Sequence, residues 1–433
     1  MTFNMELHKL GECCVINPDR ITSKWQCSEI KYIDISAVGE GIFLADPKIL
    51  SMREAPSRAQ RLLVKGDTLL STVRPNRRSM VWMKEPAANM VASTGFAVLR
   101  ANPSIITPRY LYYIVFDKSF TEYLVTREQG AAYPAVNSTD IAEANIQLPS
   151  LVKQKSIEHI LGSIDDRIDL LKQTNQTLEA IAQTIFKSWF VNFDPVHAKQ
   201  QGIACAGLDA ETAELFPDSF IESELGLIPE GWAVGQIGDL GEVVCGKTPS
   251  TNISEYYGDL IPFITIPDMH DTLIVSKTNR YLSLLGANSQ PKKYLQEGSV
   301  CVSCIATPGL VAKVTRPSQT NQQINSVVPY SEWGDEFVLF CLRRVGSAVK
   351  TAGSGGSVFH NLNTSSFKQL QIILPSRKTT KLFDKLVKPI IAKIINNSDL
   401  INNISLVRDT LLPRLISGKL DVSAIEAQLE EMA

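Results

Sequence analysis

Two stretches of the chain place apolar residues at alternating spacings of three and four. In the first stretch the positions are Leu161, Ile164, Ile168, Leu171, Asn175, Leu178, Ala182 and Ile185. In the second they are Phe383, Val387, Ile390, Ile394, Asn397, Ile401, Ile404 and Leu411, with Arg408 as the charged interruption. A seam with this 3.5-residue period, sustained over several heptads, is typical of a coiled coil. We therefore predict two long helices that pack against each other.

The single Asn in each seam predicts the register of the pair. If the helices are antiparallel and Asn175 lies opposite Asn397, the apolar positions of the two seams also fall opposite one another. Two facing Asn side chains satisfy each other's amides and disfavour slipped registers. Arg408 then lies opposite Ile164 as a mismatch. Its aliphatic stem is expected to follow the seam while its charged head reaches water.

The sequence before each helix occurs twice. Residues 130–150, GAAYPAVNSTDIAEANIQLPS, align without a gap with residues 356–376, GSVFHNLNTSSFKQLQIILPS. Further upstream, KGDTLLSTV at 65–73 returns more loosely as EGSVCVSCI at 297–305. In both halves, strand-like runs alternate with short helical stretches. The expected fold is α+β: two similar α/β domains, joined by the two long helices as an antiparallel coiled coil, in a pseudo-twofold internal repeat.

These patterns divide the 433 residues into consecutive regions. We predict a first domain over 1–149, a central helix over 150–195, an acidic connector over 196–232, a second domain over 233–374, a C-terminal helix over 375–423 and a tail over 424–433. Residues 200–246 contain no Lys or Arg. This segment should therefore face away from nucleic acid, or toward a basic protein.

Overall charge and hydropathy constrain the function only weakly. The formal net charge of −2 is compatible with DNA binding, because such proteins need be basic only where they touch phosphate. The first residues lack the charged and apolar regions of a signal peptide, and no apolar run approaches the roughly 18 residues of a membrane span. The expected location is the cytoplasm.

A nucleotide-binding motif occurs by pattern alone. Residues 241–248, GEVVCGKT, satisfy the Walker A spacing. A phosphate-binding loop needs a helix directly after it, whose N-terminus faces the phosphate. Here Pro249 follows and the next residues show no helical period, so we set nucleotide binding aside. Cys301 and Cys304 form a C-x-x-C within a strand-like run, where they point to opposite faces. We predict buried thiols there and no metal site.

A second pattern is that of a metal-dependent nuclease. Asp19 is followed at the PD-(D/E)xK spacing by Glu29 and Lys31. Such a site needs clustered carboxylates that hold a divalent cation, with a Lys nearby. Glu29 and Lys31 alternate with apolar residues in a strand-like run, which also fits a solvated strand face. The nuclease stays open as the alternative to a binding protein without catalysis.

Several segments together resemble the specificity subunit of Type I restriction–modification systems. They are LPSLVKQKSIEHILGSIDDRIDLL (148–171), FKSWFVNFDPVHAK (186–199), ELGLIPEGW (224–232), GKTPSTNISEYYGDLIPF (246–263), TNQQINSVVP (320–329) and LLPRLISGKLD (411–421). The resemblance implies two target-recognition domains, each reading one half of a split double-stranded DNA site. It also implies helices that space the domains and dock two methyltransferase subunits, with restriction subunits in the full complex. S-adenosylmethionine, ATP and Mg²⁺ are expected on those partners, and this chain is expected to bind no cofactor and to catalyse nothing.

Residues that suit contacts with phosphates and base edges are the candidate site. In the first domain they are Arg74, Arg77 and Arg78, after the strand-like DTLLSTV, and Tyr133 in the loop at 130–137. In the second they are Lys247, Thr248, Lys313, Gln322, Gln323 and His360, all in loop-like settings. For the three arginines we favour DNA contact over the alternative of a solvated turn, whereas Tyr133 could equally be a core aromatic.

Overall fold

The structure is a computed structural model, and it describes residues 5–130, 132–353 and 362–422. The chain forms two compact units: the first comprises residues 1–168 with 404–433, and the second comprises residues 169–403. Within the described ranges, every helix is too short or too polar to cross a lipid bilayer.

The first unit is built on two four-stranded sheets. Its strands are β1 (Glu6–Lys9), β2 (Cys14–Ile16), β3 (Glu29–Ile33), β4 (Lys48–Ser51), β5 (Ala59–Leu62), β6 (Thr68–Ser71), β7 (Met80–Trp82), β8 (Met90–Ser93), β9 (Phe96–Ala101) and β10 (Asn145–Leu148). One sheet has the antiparallel order β2-β9-β6-β7. The other has the order β4-β3-β8-β5, in which β3 and β8 run parallel. Strand β1 pairs with β10, so that the two ends of the domain meet.

Helices cover the first of these sheets. They are α1 (Leu10–Cys13), α2 (Pro108–Phe116), α3 (Lys118–Val125), α4 (Ser138–Ala142) and the beginning of α5 (Leu151–Phe190). Helix α2 begins at Pro108, which suits the first helical turn because its missing N–H needs no partner there. Every residue from Tyr110 to Phe116 is buried. These side chains form one core with Leu70 and Leu99 of the sheet and with Ile157 and Leu161 of α5.

The second unit repeats this plan. After the end of α5 come α6 (Asp194–Gln200), α7 (Ala210–Glu214), α8 (Leu284–Asn288), α9 (Asp335–Gly353), α10 (Thr364–Lys368) and most of α11 (Arg377–Ile416). Its strands are β11 (Phe220–Ser223), β12 (Gly226–Pro229), β13 (Ala233–Gln236), β14 (Gly241–Cys245), β15 (Tyr257–Gly258), β16 (Ile261–Ile264), β17 (Ile274–Val275), β18 (Tyr281–Leu282), β19 (Val300–Ser303), β20 (Val311–Val314), β21 (Gln319–Thr320), β22 (Ile324–Pro329) and β23 (Gln371–Leu374). Strand β13 pairs with β23 as β1 pairs with β10.

The predicted internal repeat is confirmed by the sheet topology. The order β14-β22-β19-β20-β17 corresponds to β2-β9-β6-β7 with one added strand, and the parallel pair β16–β21 corresponds to β3–β8. The aligned residues Asn137 and Asn363 have the same role. Asn137 accepts a hydrogen bond from the Asp140 N–H at 2.8 Å and begins α4, and Asn363 accepts one from the Ser366 N–H at 2.9 Å and begins α10.

The long helices pair antiparallel, and the Asn register is confirmed in the second unit. There Asn397 is buried, and its Nδ2 donates to Oδ1 of Asn175 at 2.8 Å. In the same unit a later residue of α5, Phe186, packs against an earlier residue of α11, Phe383, with ring centroids 5.8 Å apart. In the first unit, Asp165 of α5 pairs with Arg408 of α11, and the earlier Lys153 pairs with Asp421, which follows the end of α11. Contacts from both units therefore give the same chain directions.

The expectation for the Arg408 head is wrong. The Arg408 side chain is only 18% exposed, and its Nη1 donates to Oδ1 of Asp165 at 3.0 Å. The guanidinium also lies 5.1 Å from the centre of the Phe116 ring. Burial opposes the charge, but Asp165 and Asp409 raise the Arg408 pKa above its ordinary value. Since Asp165 is adjacent to the expected neighbour Ile164, the mismatch is resolved by an ion pair instead of by solvent.

The two cysteines of the C-x-x-C lie on opposite faces of the sheet, as predicted. Cys301 belongs to one apolar cluster with Val244 and Ile264, and Cys304 belongs to another with Trp333. Both are buried free thiols. Burial raises the pKa of Cys301 to about 12, which keeps this thiol protonated and unsuited to bind a metal as thiolate.

Candidate nucleic-acid interface

The arginine loop of the first unit is a short rigid turn. After β6 the chain forms a single 3-10 turn, Pro75–Arg77. The flanking residues Arg74 and Arg78 have left-handed φ angles of 50° and 54°. The three arginines of this loop have different surroundings.

Arg74 brings the two candidate loops of this unit together. Its backbone N–H donates to the Pro134 carbonyl at 2.7 Å, and its Nη2 donates to the Ala132 carbonyl at 3.4 Å. Its guanidinium carbon lies 5.1 Å from the centre of the Tyr133 ring. Tyr133 is 72% exposed, so it is not a core aromatic. The contact leaves a planar cation and a planar ring side by side at the surface, and both groups stack well on other planar groups.

Arg77 and Arg78 differ in their freedom to contact a ligand. Arg77 is exposed, and its guanidinium makes no hydrogen bond or ion pair with the described residues. The Arg78 side chain is 12% exposed, and its Nε donates to Glu40 at 2.8 Å. Its Nη1 and Nη2 donate at 2.5 Å to the Thr121 hydroxyl and the Phe116 carbonyl. Arg78 therefore braces the loop against α2 and α3, and its predicted DNA contact gains no support from this position.

In the second unit, four of the candidates share one surface. The Lys247 N–H donates to the Thr320 carbonyl at 2.9 Å, and the Thr248 hydroxyl donates to Oε1 of Gln322 at 2.7 Å. Lys247 and Gln322 are exposed. Gln323 is half-buried, and its Oε1 accepts a hydrogen bond from Nδ2 of Asn321 at 3.0 Å. The structure thus places 247–248 beside 320–323, which the sequence alone did not join.

Lys313 is not in a loop, and this expectation is wrong. It lies in β20, its side chain is 7% exposed, and its Nζ is 2.6 Å from Oε1 of Glu336. Burial raises the pKa of Glu336, and the ammonium of Lys313 acts in the opposite direction. A lysine paired in the interior has no surface on which to meet phosphate. His360 lies outside the described residues.

Two buried glutamines that the sequence did not single out support the Lys247 loop. The Gln290 side chain donates from Nε2 to the Lys247 carbonyl and to Oε1 of Gln319, both at 2.7 Å. Gln319 donates in turn to the Ala287 carbonyl at 2.9 Å. Buried amides with this many partners hold a backbone in place. A single sequence contains no periodic signal for such a network, because its members come from separate segments.

The Walker A pattern is a strand followed by an extended segment. Residues 241–245 form β14, and the next helical turn is the 3-10 turn Ser254–Tyr256. Glycine is needed at 246 for a packing reason: a Cβ there would lie 2.1 Å from the Asn321 carbonyl oxygen. The glycines therefore permit close approach of a neighbouring strand and do not form a phosphate loop.

The residues of the alternative nuclease hypothesis do not come together as a metal site. Oδ2 of Asp19 is 2.5 Å from Nη1 of Arg100, while Glu29 and Lys31 lie in β3, where they pair with β4. Across the described ranges, no three His, Cys, Asp or Glu side chains come together in a way that could hold a metal ion.

Comparisons with known proteins agree with one another. Residues 4–180 and 229–406 match the family model described as the Type I restriction modification DNA specificity domain. The HindI Type I restriction enzyme specificity subunit of Haemophilus influenzae is 36% identical over 415 residues, which cover 86% of this chain and 90% of that relative. The MjaIX specificity subunit of Methanocaldococcus jannaschii is 26% identical over 368 residues, covering 84% and 80%.

A solved structure shows the same fold. The S subunit of a Type-I restriction-modification system from M. genitalium aligns with 95% of this chain and 96% of its own, with a TM-score of 0.55 and 11% sequence identity. At that identity the likeness concerns the fold alone. The family model supplies the more specific finding, because it matches the chain twice, once in each half of the internal repeat.

Proposed function

The chain belongs to the Type I restriction modification DNA specificity family, and from this premise we propose that each of its domains reads one half of a split DNA target. Within the family assignment, one observation carries the proposal: each unit has a surface cluster of polar side chains that includes at least one exposed cation. In the first unit this cluster is Arg74, Arg77 and Tyr133. In the second it is Lys247, Thr248 and Gln322.

The division of chemistry follows from which side chains face outward. Guanidinium and ammonium groups suit phosphates, and guanidinium, amide and hydroxyl groups suit base edges. Arg74, steadied by Tyr133, is the best placed of the first cluster to reach a base edge, since its orientation is already restricted. Arg77 is free to follow a phosphate. In the second cluster, Gln322 and Thr248 provide amide and hydroxyl groups, and Lys247 provides the charge.

The proposed assembly places catalysis on other chains. Two methyltransferase subunits dock on the long helices, and restriction subunits join the full complex. Exposed aliphatic side chains on these helices support docking: Leu170 is 52% exposed, Leu406 67% and Val407 49%. S-adenosylmethionine, ATP and Mg²⁺ are assigned to the partners. Mg²⁺-dependent DNA cleavage by the purified chain alone would contradict a non-catalytic role.

Exchanging one domain tests the two-reader arrangement. Residues 1–149 are replaced by the first domain of another family member, and the chimera is expressed with its methyltransferase subunits. Single-molecule sequencing of modified bases then gives the methylated motif. We expect one half-site to change while the other half-site and the spacer persist. The matched control replaces residues 233–374 and should change the opposite half. A chimera in which both half-sites change together contradicts the proposal.

A further inference from the structure

Two arginines of the first unit lie directly opposite each other at one edge of its second sheet. Arg20 and Arg61 form an antiparallel bridge, and hydrogen bonds on either side of it fix the pairing. The Ile21 N–H donates to the Gln60 carbonyl at 2.9 Å, and the Leu62 N–H donates to the Asp19 carbonyl at 3.3 Å. Directly opposed residues project from the same face of a sheet. The two side chains therefore leave the sheet from neighbouring positions on one face.

No carboxylate in the described part of the chain pairs with either arginine. The carboxylate of Asp19, the residue before Arg20, is 2.5 Å from Arg100 instead. Nε of Arg61 is buried and has no hydrogen-bond partner. Burial and the charge of Arg20 both lower the Arg61 pKa. Opposed like charges destabilise a sheet, and so does a buried donor without an acceptor. An anion bound beside the pair would relieve both effects.

A cavity of about 500 Å³, lined by both polar and apolar residues, opens beside Arg20. Arg20 lines it together with Thr22, Ser23, Ser57 and Gln60, and neither Asp nor Glu is among its lining residues. Hydroxyl, amide and guanidinium groups can all donate hydrogen bonds to the oxygens of one tetrahedral anion. Arginine in particular matches the geometry of phosphate with two parallel N–H donors.

The cavity is connected to the Arg74 loop by a short series of backbone contacts. Ser57 of the cavity wall precedes Arg58, whose carbonyl accepts a hydrogen bond from the Thr94 N–H at 2.7 Å. The next residue, Gly95, accepts one from the Thr72 N–H at 2.9 Å. Thr72 lies two residues before Arg74. Backbone hydrogen bonds thus link the segment that lines the cavity to the Arg74 loop within the first unit.

We propose that Arg20 and Arg61 form a phosphate-binding site, which anchors a phosphate of the DNA backbone beside the target-reading loop. This inference rests on the proposed function and deepens it by naming a second, sequence-independent contact. The shared chemistry is a phosphate group, whose source is either the DNA backbone or free inorganic phosphate. The site is separate from Arg74, Arg77 and Tyr133.

Salt-dependent binding by the assembled complex with methyltransferase subunits is the first arm of the test. Arg20→Gln is compared with wild type on target and scrambled duplexes over a KCl series. Loss of one phosphate contact should reduce the magnitude of the slope of log K against log salt by roughly one. It should also weaken binding to both duplexes by the same factor. The matched control is Lys48→Gln, which removes one exposed charge from β4 at the opposite edge of the same sheet. It should leave the slope unchanged.

Thermal unfolding of the full chain without DNA is the second arm. Inorganic phosphate is compared with chloride at equal ionic strength. Phosphate should raise the melting temperature of wild type and of Lys48→Gln, and it should lose this effect in Arg20→Gln. Without phosphate, Arg20→Gln should melt no lower than wild type, because it removes the repulsion with Arg61. Arg61→Lys keeps the charge but removes the planar donors, and it should also reduce the phosphate effect.

The outcomes separate this inference from the proposed function. Phosphate stabilisation that Arg20→Gln removes, without any change in the DNA slope, assigns the site to free phosphate. An unchanged slope together with an unchanged phosphate response overturns the inference. If Arg77→Ala still lowers the slope in that case, DNA recognition stands and only the anchor is refuted. A wild-type complex that binds neither duplex refutes the proposed function, and the phosphate arm then tests the site by itself.

Discussion

The loop after β6 and the loop after β19 share two features, a buried serine at the start and a left-handed residue three positions later, and differ in their side-chain chemistry. Ser71 and Ser303 end these strands, and both are buried. Each hydroxyl donates into the loop that follows, Ser71 to the Val73 carbonyl at 2.9 Å and Ser303 to the Thr307 carbonyl at 2.6 Å. Each loop then contains a left-handed residue, Arg74 with φ 50° or Ala306 with φ 66°.

The side chains beyond that point differ completely. The first loop continues as RPNRR, whereas the second continues as ATPG. The shared part is held by buried strands, so the core limits what can change there. Most side chains past the serine are at least partly exposed, so they can vary without loss of fold. The framework and the loop side chains are therefore separable in this chain, except where a polar residue is buried in the interior.

Lys313 is such a residue, and its substitution should have the largest effect. Lys313→Ala leaves Glu336 as an uncompensated carboxylate in the interior, which typically costs about 3–5 kcal/mol. The lost stability should appear as a lower midpoint for the second unit in urea unfolding. Lys247→Ala is the matched control: it removes an exposed lysine, so its stability should stay within about 0.5 kcal/mol of wild type. Lys313→Ala with normal stability and impaired DNA binding would show that the buried pair is not its role.

Arg78→Ala should have the next largest effect and should separate Arg78 from its neighbours in the loop. The change removes hydrogen bonds to Glu40, Thr121 and the Phe116 carbonyl. Hydrogen bonds that involve a charged group contribute about 1.5–3 kcal/mol. We expect about 2 kcal/mol of lost stability, since Glu40 is half exposed and can be solvated. Arg78→Lys should not restore it, because lysine lacks the planar fork. If Arg78→Ala is as stable as wild type, Arg78 does not support the loop and belongs with the residues that can contact DNA.

How far the sequence predicts these features depends on whether the information is local. The Asn175–Asn397 contact followed from a heptad period, and the equivalence of Asn137 and Asn363 followed from a gapless repeat. Both patterns are recorded in consecutive residues. The partners of Arg78 and Lys313 come from distant segments that only tertiary structure brings together. The local sequence around an arginine in a loop-like segment does not distinguish a side chain that faces solvent from one that faces the interior.

Arg77→Ala should change DNA binding while leaving stability within about 0.5 kcal/mol of wild type. If Arg77 contacts a phosphate, its loss should weaken binding to target and scrambled duplexes equally and reduce the magnitude of the salt slope by roughly one. If it reads a base, the target alone should lose about 1–3 kcal/mol of binding. Fluorescence anisotropy over a salt series with the assembled complex distinguishes these results. Unchanged affinity on both duplexes would return Arg77 to a solvated turn.

The smallest effect should come from glycine substitutions at the two left-handed positions, which compare the loop after β6 directly with the loop after β19. A left-handed backbone costs an L-residue about 1–2 kcal/mol. Glycine relieves this strain, but part of the stabilisation is lost because glycine makes the unfolded chain more flexible. Ala306→Gly should therefore stabilise the second unit by about 0.5–1 kcal/mol, or a few degrees in calorimetry. Arg74→Gly should gain the same relief but lose the contact with Tyr133, which contributes about 0.5–1 kcal/mol at an exposed site. The net change in the stability of Arg74→Gly should be near zero. Arg74→Ala keeps the strain and loses the contact, so it should be the least stable of these three variants. Equal stabilisation by both glycine substitutions would mean that the Arg74–Tyr133 contact contributes nothing to the unbound loop.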